Sequence, residues 1–142
     1  MAPIINYWAV LVAAVVNMVV GFLWYGPLFG KTWLKLVGIP HDEAVKMASS
    51  KGMSKRYFIA FVGAFLIALT LDHWIIFAGA YLNISGAWTG LNAAFWIWLG
   101  FFAPVTATAW LWEGKPAKLW CFNASYYLVV LGIMGAILAA WM

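Results

Sequence analysis

Formal charge is confined to a few short stretches of this chain. Residues 1–30 carry none, residues 57–112 carry only Asp72, and residues 119–142 again carry none. Few folds are open to uncharged apolar runs of that length. A helix of about twenty such residues crosses ~30 Å of hydrocarbon at ~1.5 Å per residue and pairs every backbone polar group internally. A soluble domain of 142 residues needs more polar surface than 8% charged and 67% hydrophobic residues supply. The breaks between runs predict four spans, over residues 4–25, 57–80, 88–112 and 119–141, within a single membrane domain of residues 1–142. The expected fold class is all-α integral membrane, with four transmembrane helices arranged as two antiparallel hairpins.

The first loop, residues 26–56, opens where Trp24 and Tyr25 meet Gly26-Pro27. Proline lacks the N–H a helix needs and crowds the preceding turn, so the first span is expected to end there. Its two aromatics would then sit in the headgroup layer. Lys31 and Lys35 share one side of a short helix whose other side carries Trp33, Leu34 and Val37. That pattern predicts an interfacial helix closed by Gly38. Asp42 and Glu43 mark the start of a surface helix that ends by Gly52, and Ser54 is placed to cap the second span. In the third span Pro104 frees the carbonyl of Gly100, with Thr106 and Thr108 near enough to serve backbone groups.

All eight Lys and Arg residues lie in loops 26–56 and 113–118. The positive-inside rule makes both loops cytoplasmic and both termini external. Cations restricted to loops in this way are topology determinants, so no nucleic-acid partner is expected. Cys121 is the only cysteine and reads as a small packing residue.

Helices associate in lipid where small residues let their backbones approach. Stripes at steps of four occur in three spans: Ala9, Ala13, Asn17 and Gly21; Ala60, Ala64, Ala68 and Asp72; and Gly132, Ala136 and Ala140. These faces are expected to support packing and a homo-oligomer. By depth, the polar residues form an outer site of Asp72, His73, Asn92, Tyr7 and Trp96 and an inner layer of Asn17, Thr106, Asn123 and Tyr126. Ionisable groups inside a span are costly and face a cavity, a partner or a pathway. Asp72 therefore has two readings: a neutral group hydrogen-bonded to Asn92, Tyr7 or Trp96, or a group that handles a proton, ion or ligand.

No catalytic, metal or cofactor constellation is found. There is no phosphate-binding loop, dinucleotide fingerprint or nucleophile elbow, and the His41-Asp42-Glu43 run reads as a solvated helix start. Asn6-Tyr-Trp, the block Phe22-Leu-Trp-Tyr-Gly-Pro-Leu-Phe-Gly-Lys-Thr-Trp33, Trp98-Leu-Gly-Phe101, Gly132-Ile-Met-Gly-Ala136 and Trp141 together resemble the bacterial membrane family called domain of unknown function 1761. The likeness covers essentially the whole chain. It departs at Gly26, where a small residue, often serine, is expected. The resemblance implies a small four-span protein of the bacterial cytoplasmic (inner) membrane and no particular activity. Three functional readings stand: a homo-oligomer binding or passing a small solute or ion through a polar, Trp-rich interior; a structural or regulatory subunit of a membrane complex; and an enzyme acting on a lipid or quinone. The ligand classes left open are a small molecule and a lipid.

Overall fold

The computed structural model describes residues 4–142. Among them, every regular element is helical, and four helical stretches are long and apolar enough to cross a membrane: Tyr7–Leu28, Met53–Leu82, Ala87–Trp112 and Ala117–Ala140.

The first stretch starts with α1 (Tyr7–Leu23), whose N-cap Asn6 accepts the Ala9 N–H at 3.3 Å. As expected, the helix is broken at Gly26-Pro27, where Gly26 takes the non-helical angles φ −113°, ψ −106°. A kinked π turn, Trp24–Leu28, carries the chain across this break, with the Phe29 N–H reaching the Trp24 carbonyl at 3.0 Å. A π turn bonds over five residues instead of four, which lets the chain pass proline with one donor fewer. Phe29 caps the next helix, α2 (Gly30–Val37). It closes at Gly38, whose φ of 83° is the left-handed conformation glycine adopts without penalty. Next come α3 (His41–Ala48) and α4 (Met53–Leu82). The N-cap of α4 is Gly52 rather than Ser54, and the helix begins four residues before Tyr57. Its thirty residues rise ~45 Å, enough to lift Lys55 and Arg56 clear of the hydrocarbon.

The third stretch joins α5 (Ala87–Ile97), a π-helical turn at Trp98–Phe102, α6 (Ala103–Thr106) and α7 (Thr108–Trp112). Pro104 sits just after the π turn. Thr106 Oγ1 donates to the Phe102 and Ala103 carbonyls at 2.7 and 3.2 Å, and Thr108 Oγ1 donates to Val105 at 2.8 Å. The hydroxyls thus serve carbonyls beside the one expected, that of Gly100. The last stretch is α8 (Ala117–Ala140).

Packing is closest where α5 crosses α8. A methyl group on Gly90 would lie 1.8 Å from the Gly135 carbonyl oxygen, so only two glycines allow the backbones to meet there. α1 packs on α4 and on α8, and Ala9, Val10, Ala13, Ala68, Leu71, Met134 and Leu138 fill the centre. The stripes of α1 and α4 are therefore used largely within the chain. In α8 the buried face runs through Leu131, Gly135, Leu138 and Ala139, one position away from the expected Gly132, Ala136 and Ala140, of which Ala140 is exposed. Both faces offer a glycine in Gly132-Ile-Met-Gly135, and only the partner helix selects between them.

The two ends of the bundle are each held by a polar bond. At one end Asn6 Nδ2 donates to the Trp141 carbonyl at 3.2 Å; at the other Lys115 Nζ donates to the Val37 carbonyl at 3.4 Å. Within this single chain the packed interior is not rich in tryptophan. No tryptophan belongs to the buried core, and Trp8, Trp74, Trp88, Trp96, Trp110, Trp112 and Trp141 are exposed on the outside. Close approach of backbones needs alanine and glycine at the centre, which leaves the large rings to lipid and interface.

Candidate functional site

The structure does not gather the outer polar residues into one site. Asp72 is 1% exposed, and its Oδ2 has no hydrogen-bond partner among the described residues. Tyr7 and Trp96 are 63% and 62% exposed, and Asn92 is exposed as well. The neighbours of Asn92 explain why: Ala93 and Ala94 are the buried residues of that turn, so Asn92 falls on the opposite face. His73 is satisfied locally, its Nδ1–H donating to the Leu69 carbonyl one turn back at 2.7 Å.

The inner residues are brought closer together. A cleft of about 680 Å³ opens between α1, α4 and α8, with Ala48 of α3 at its rim. α1 and its π turn contribute Asn17, Gly21 and Tyr25; α4 contributes Tyr57, Ala60, Gly63 and Ala64; α8 contributes Tyr126 and Tyr127. Glycine shapes this space in two ways. A methyl group on Gly21 would come 2.9 Å from the Tyr126 hydroxyl, so the missing side chain lets that ring lie against α1. On the facing helix, a methyl group on Gly63 would meet nothing within 4 Å, and there the missing side chain leaves the cleft open.

The aromatic wall is held in place. Tyr25 donates its hydroxyl to Asn123 Oδ1 at 2.8 Å and meets the Tyr126 ring edge-on at 5.0 Å. Tyr126 and Tyr127 are 5.1 Å apart, and Phe102 of the third stretch backs Tyr127 at 4.9 Å. Edge-to-face ring pairs of this kind add to the energy of simple burial and resist rotation. Asn17 is half-buried on the same cleft, and its Nδ2 donates to the Met134 sulfur at 3.3 Å. A thioether is a weak acceptor, so this amide would bind an oxygen more strongly than its present partner. Thr106 is the one member of the inner layer that stays outside the group, being bonded to its own helix.

The interfacial residues form a second cluster. Trp33 meets Tyr25 edge-on at 5.5 Å, and Trp24 lies 4.8 Å from Phe29 with its Nε1 buried and unpaired among the described residues. Pro27 and Lys31 are exposed. Sequence reading missed two cross-span bonds: Trp98 Nε1 donates to the Ala124 carbonyl at 2.7 Å, and Trp120 Nε1 donates to Ala103 at 2.9 Å. An indole is a donor with no acceptor function, so an indole within a span needs a carbonyl, and that requirement was the available signal.

The four long apolar helical stretches define a multi-pass α-helical membrane protein. The chain belongs to the family described as protein of unknown function (DUF1761), which matches residues 8–139. No curated protein and no solved structure matches it.

Proposed function

We propose that the protein is a membrane-embedded binding protein whose cleft takes a small amphiphilic molecule from the bilayer. The observation that carries this reading is Asn17: a half-buried amide with only a thioether to bond, on the wall of a cleft of about 680 Å³ otherwise lined by rings and small side chains. An oxygen acceptor on the ligand would take the Asn17 amide, and its apolar part would lie along Phe22, Ile67 and the tyrosine rings. The close packing of alanines around α1, α4 and α8 favours binding over passage through the bundle. In this reading the basic loops face the cytoplasm and the four spans act as one domain, in two antiparallel hairpins. The half-covered face of Gly132 and Ala136 is what remains for contact with a second copy.

Native mass spectrometry of the protein released from mild detergent tests the proposal. Wild type should carry a non-protein mass of small-molecule size. Gly63→Trp, whose Cβ meets nothing within 4 Å and whose ring would occupy the cleft, should lose that mass while keeping its helical circular dichroism. A bare wild-type protein, or a Gly63→Trp variant with the same adduct, would overturn the binding reading. Constant co-purification of a second polypeptide would replace it with the subunit reading.

A further inference from the structure

A second concavity lies at the end of the bundle that carries the cations. There the π turn Trp24–Leu28 and α2 meet the first turns of α8 around a groove of about 620 Å³. Trp24, Phe29, Leu36 and Phe122 make its floor, and Thr32 and Lys118 stand on its edge. The floor is built from rings that brace one another. Trp24 and Phe29 are 4.8 Å apart, Trp24 and Phe122 5.9 Å, and Phe29 and Phe122 6.1 Å, all in tilted or edge-on pairs. Even so, Phe29 is 41% exposed.

The lining of this groove carries one formal charge, that of Lys118. Lys118 belongs to the first turn of α8, a turn that contains no acidic residue. On α2, Lys31 and Lys35 each precede a groove residue, Thr32 and Leu36, and so lie on the neighbouring, exposed face of the helix, ~100° away. An aromatic floor, a hydroxyl and one ammonium group are thereby combined at the margin of the apolar spans.

We propose that this groove seats one anionic phospholipid. Its phosphate meets Lys118 and the Thr32 hydroxyl, and the upper part of an acyl chain lies on the rings of Trp24, Phe29 and Phe122. Charge complementarity and position together select the occupant. A free phosphate would use the cations and leave the floor bare, and a zwitterionic headgroup would bring its own cation beside Lys118. The site is separate from the cleft between α1, α4 and α8, so its failure would leave that reading untouched.

The chain contains its own reporter, because its single cysteine, Cys121, is exposed and lines the groove. Full-length protein is reconstituted in vesicles of phosphatidylcholine, with or without phosphatidylglycerol, and the rate of reaction with an uncharged maleimide is followed. A cysteine placed at Ser50 in a Cys121→Ser background reports the general effect of an anionic surface on a thiol, and protection is counted relative to it. Phosphatidylglycerol should slow the labelling of Cys121 several-fold beyond that control. Lys118→Gln should return the rate to the control level, whereas Lys51→Gln, which removes a cation elsewhere at the same end, should leave the protection in place. Inorganic phosphate added to phosphatidylcholine vesicles should not protect. Equal protection at positions 121 and 50, or equal loss with Lys51→Gln and Lys118→Gln, would reduce the effect to a diffuse surface field and overturn the proposal. Protection by inorganic phosphate would overturn it as well, in favour of a free-anion site.

Discussion

Asp72 and Tyr25 are both polar residues inside apolar helices, and they differ in what a substitution removes. Tyr25 donates to Asn123 across two spans, so Tyr25→Phe strands an amide oxygen in a partly buried site and should cost about 1–3 kcal/mol. Asn123→Ala should cost a similar amount, and the double variant little more than either single one, in thermal or denaturant unfolding of the detergent-solubilised protein. Asp72 Oδ2, by contrast, has no bond to lose. Asp72→Asn keeps the shape and is expected to remain folded with stability within about 1 kcal/mol of wild type. A clearly lower melting temperature would reveal a partner that the packing around α4 does not supply. The burial of Asp72 was legible because it continues the stripe of Ala60, Ala64 and Ala68. Its surroundings were not, since depth can be counted along a helix but the face that Asn92 or Tyr7 presents depends on which helix lies beside it.

At the scale of elements, the sequence was most informative where one residue type has one use. The αL cap at Gly38 is such a case, and so is the run of charge-free residues that marks each span. It was least informative where two arrangements satisfy the same residues. Pro27 and Pro104 both interrupt a helix, yet differently: Gly26 before Pro27 leaves the helical conformation, whereas Pro104 follows a π turn whose widened bonding keeps the chain helical. The crossing of α5 and α8 gives a sharp test. Gly90→Ala must push two backbones apart and should destabilise by about 1–3 kcal/mol or more, whereas Gly100→Ala, with open space around it, should be close to neutral. Equal effects in unfolding assays would show that the two helices are not in backbone contact. Trp33→Glu should likewise reduce membrane yield more than Lys35→Gln, since it removes the ring set against Tyr25, whereas Lys35 is exposed.

For the whole molecule, the bonds Asn6 to Trp141 and Lys115 to Val37 close opposite ends of the bundle. Single cysteines at Ser50 and Ser85, in a Cys121→Ser background, should therefore show opposite access to an impermeant reagent in intact cells, with Ser85 the reactive position if the basic loops are inside. The cleft was only partly foreseeable: Asn17 and Tyr126 were singled out by depth, but Tyr57 and Gly63 join them only because α4 lies alongside α1. The outward placement of the tryptophans also decides what light can report about this protein. Seven of eleven indoles lie on the outer surface and none in the core, so most of the emission comes from chromophores already surrounded by acyl chains or headgroups. Brominated lipids should quench most of the fluorescence of the native protein, and a loss of helix packing that leaves the chain in the bilayer should barely shift its emission maximum.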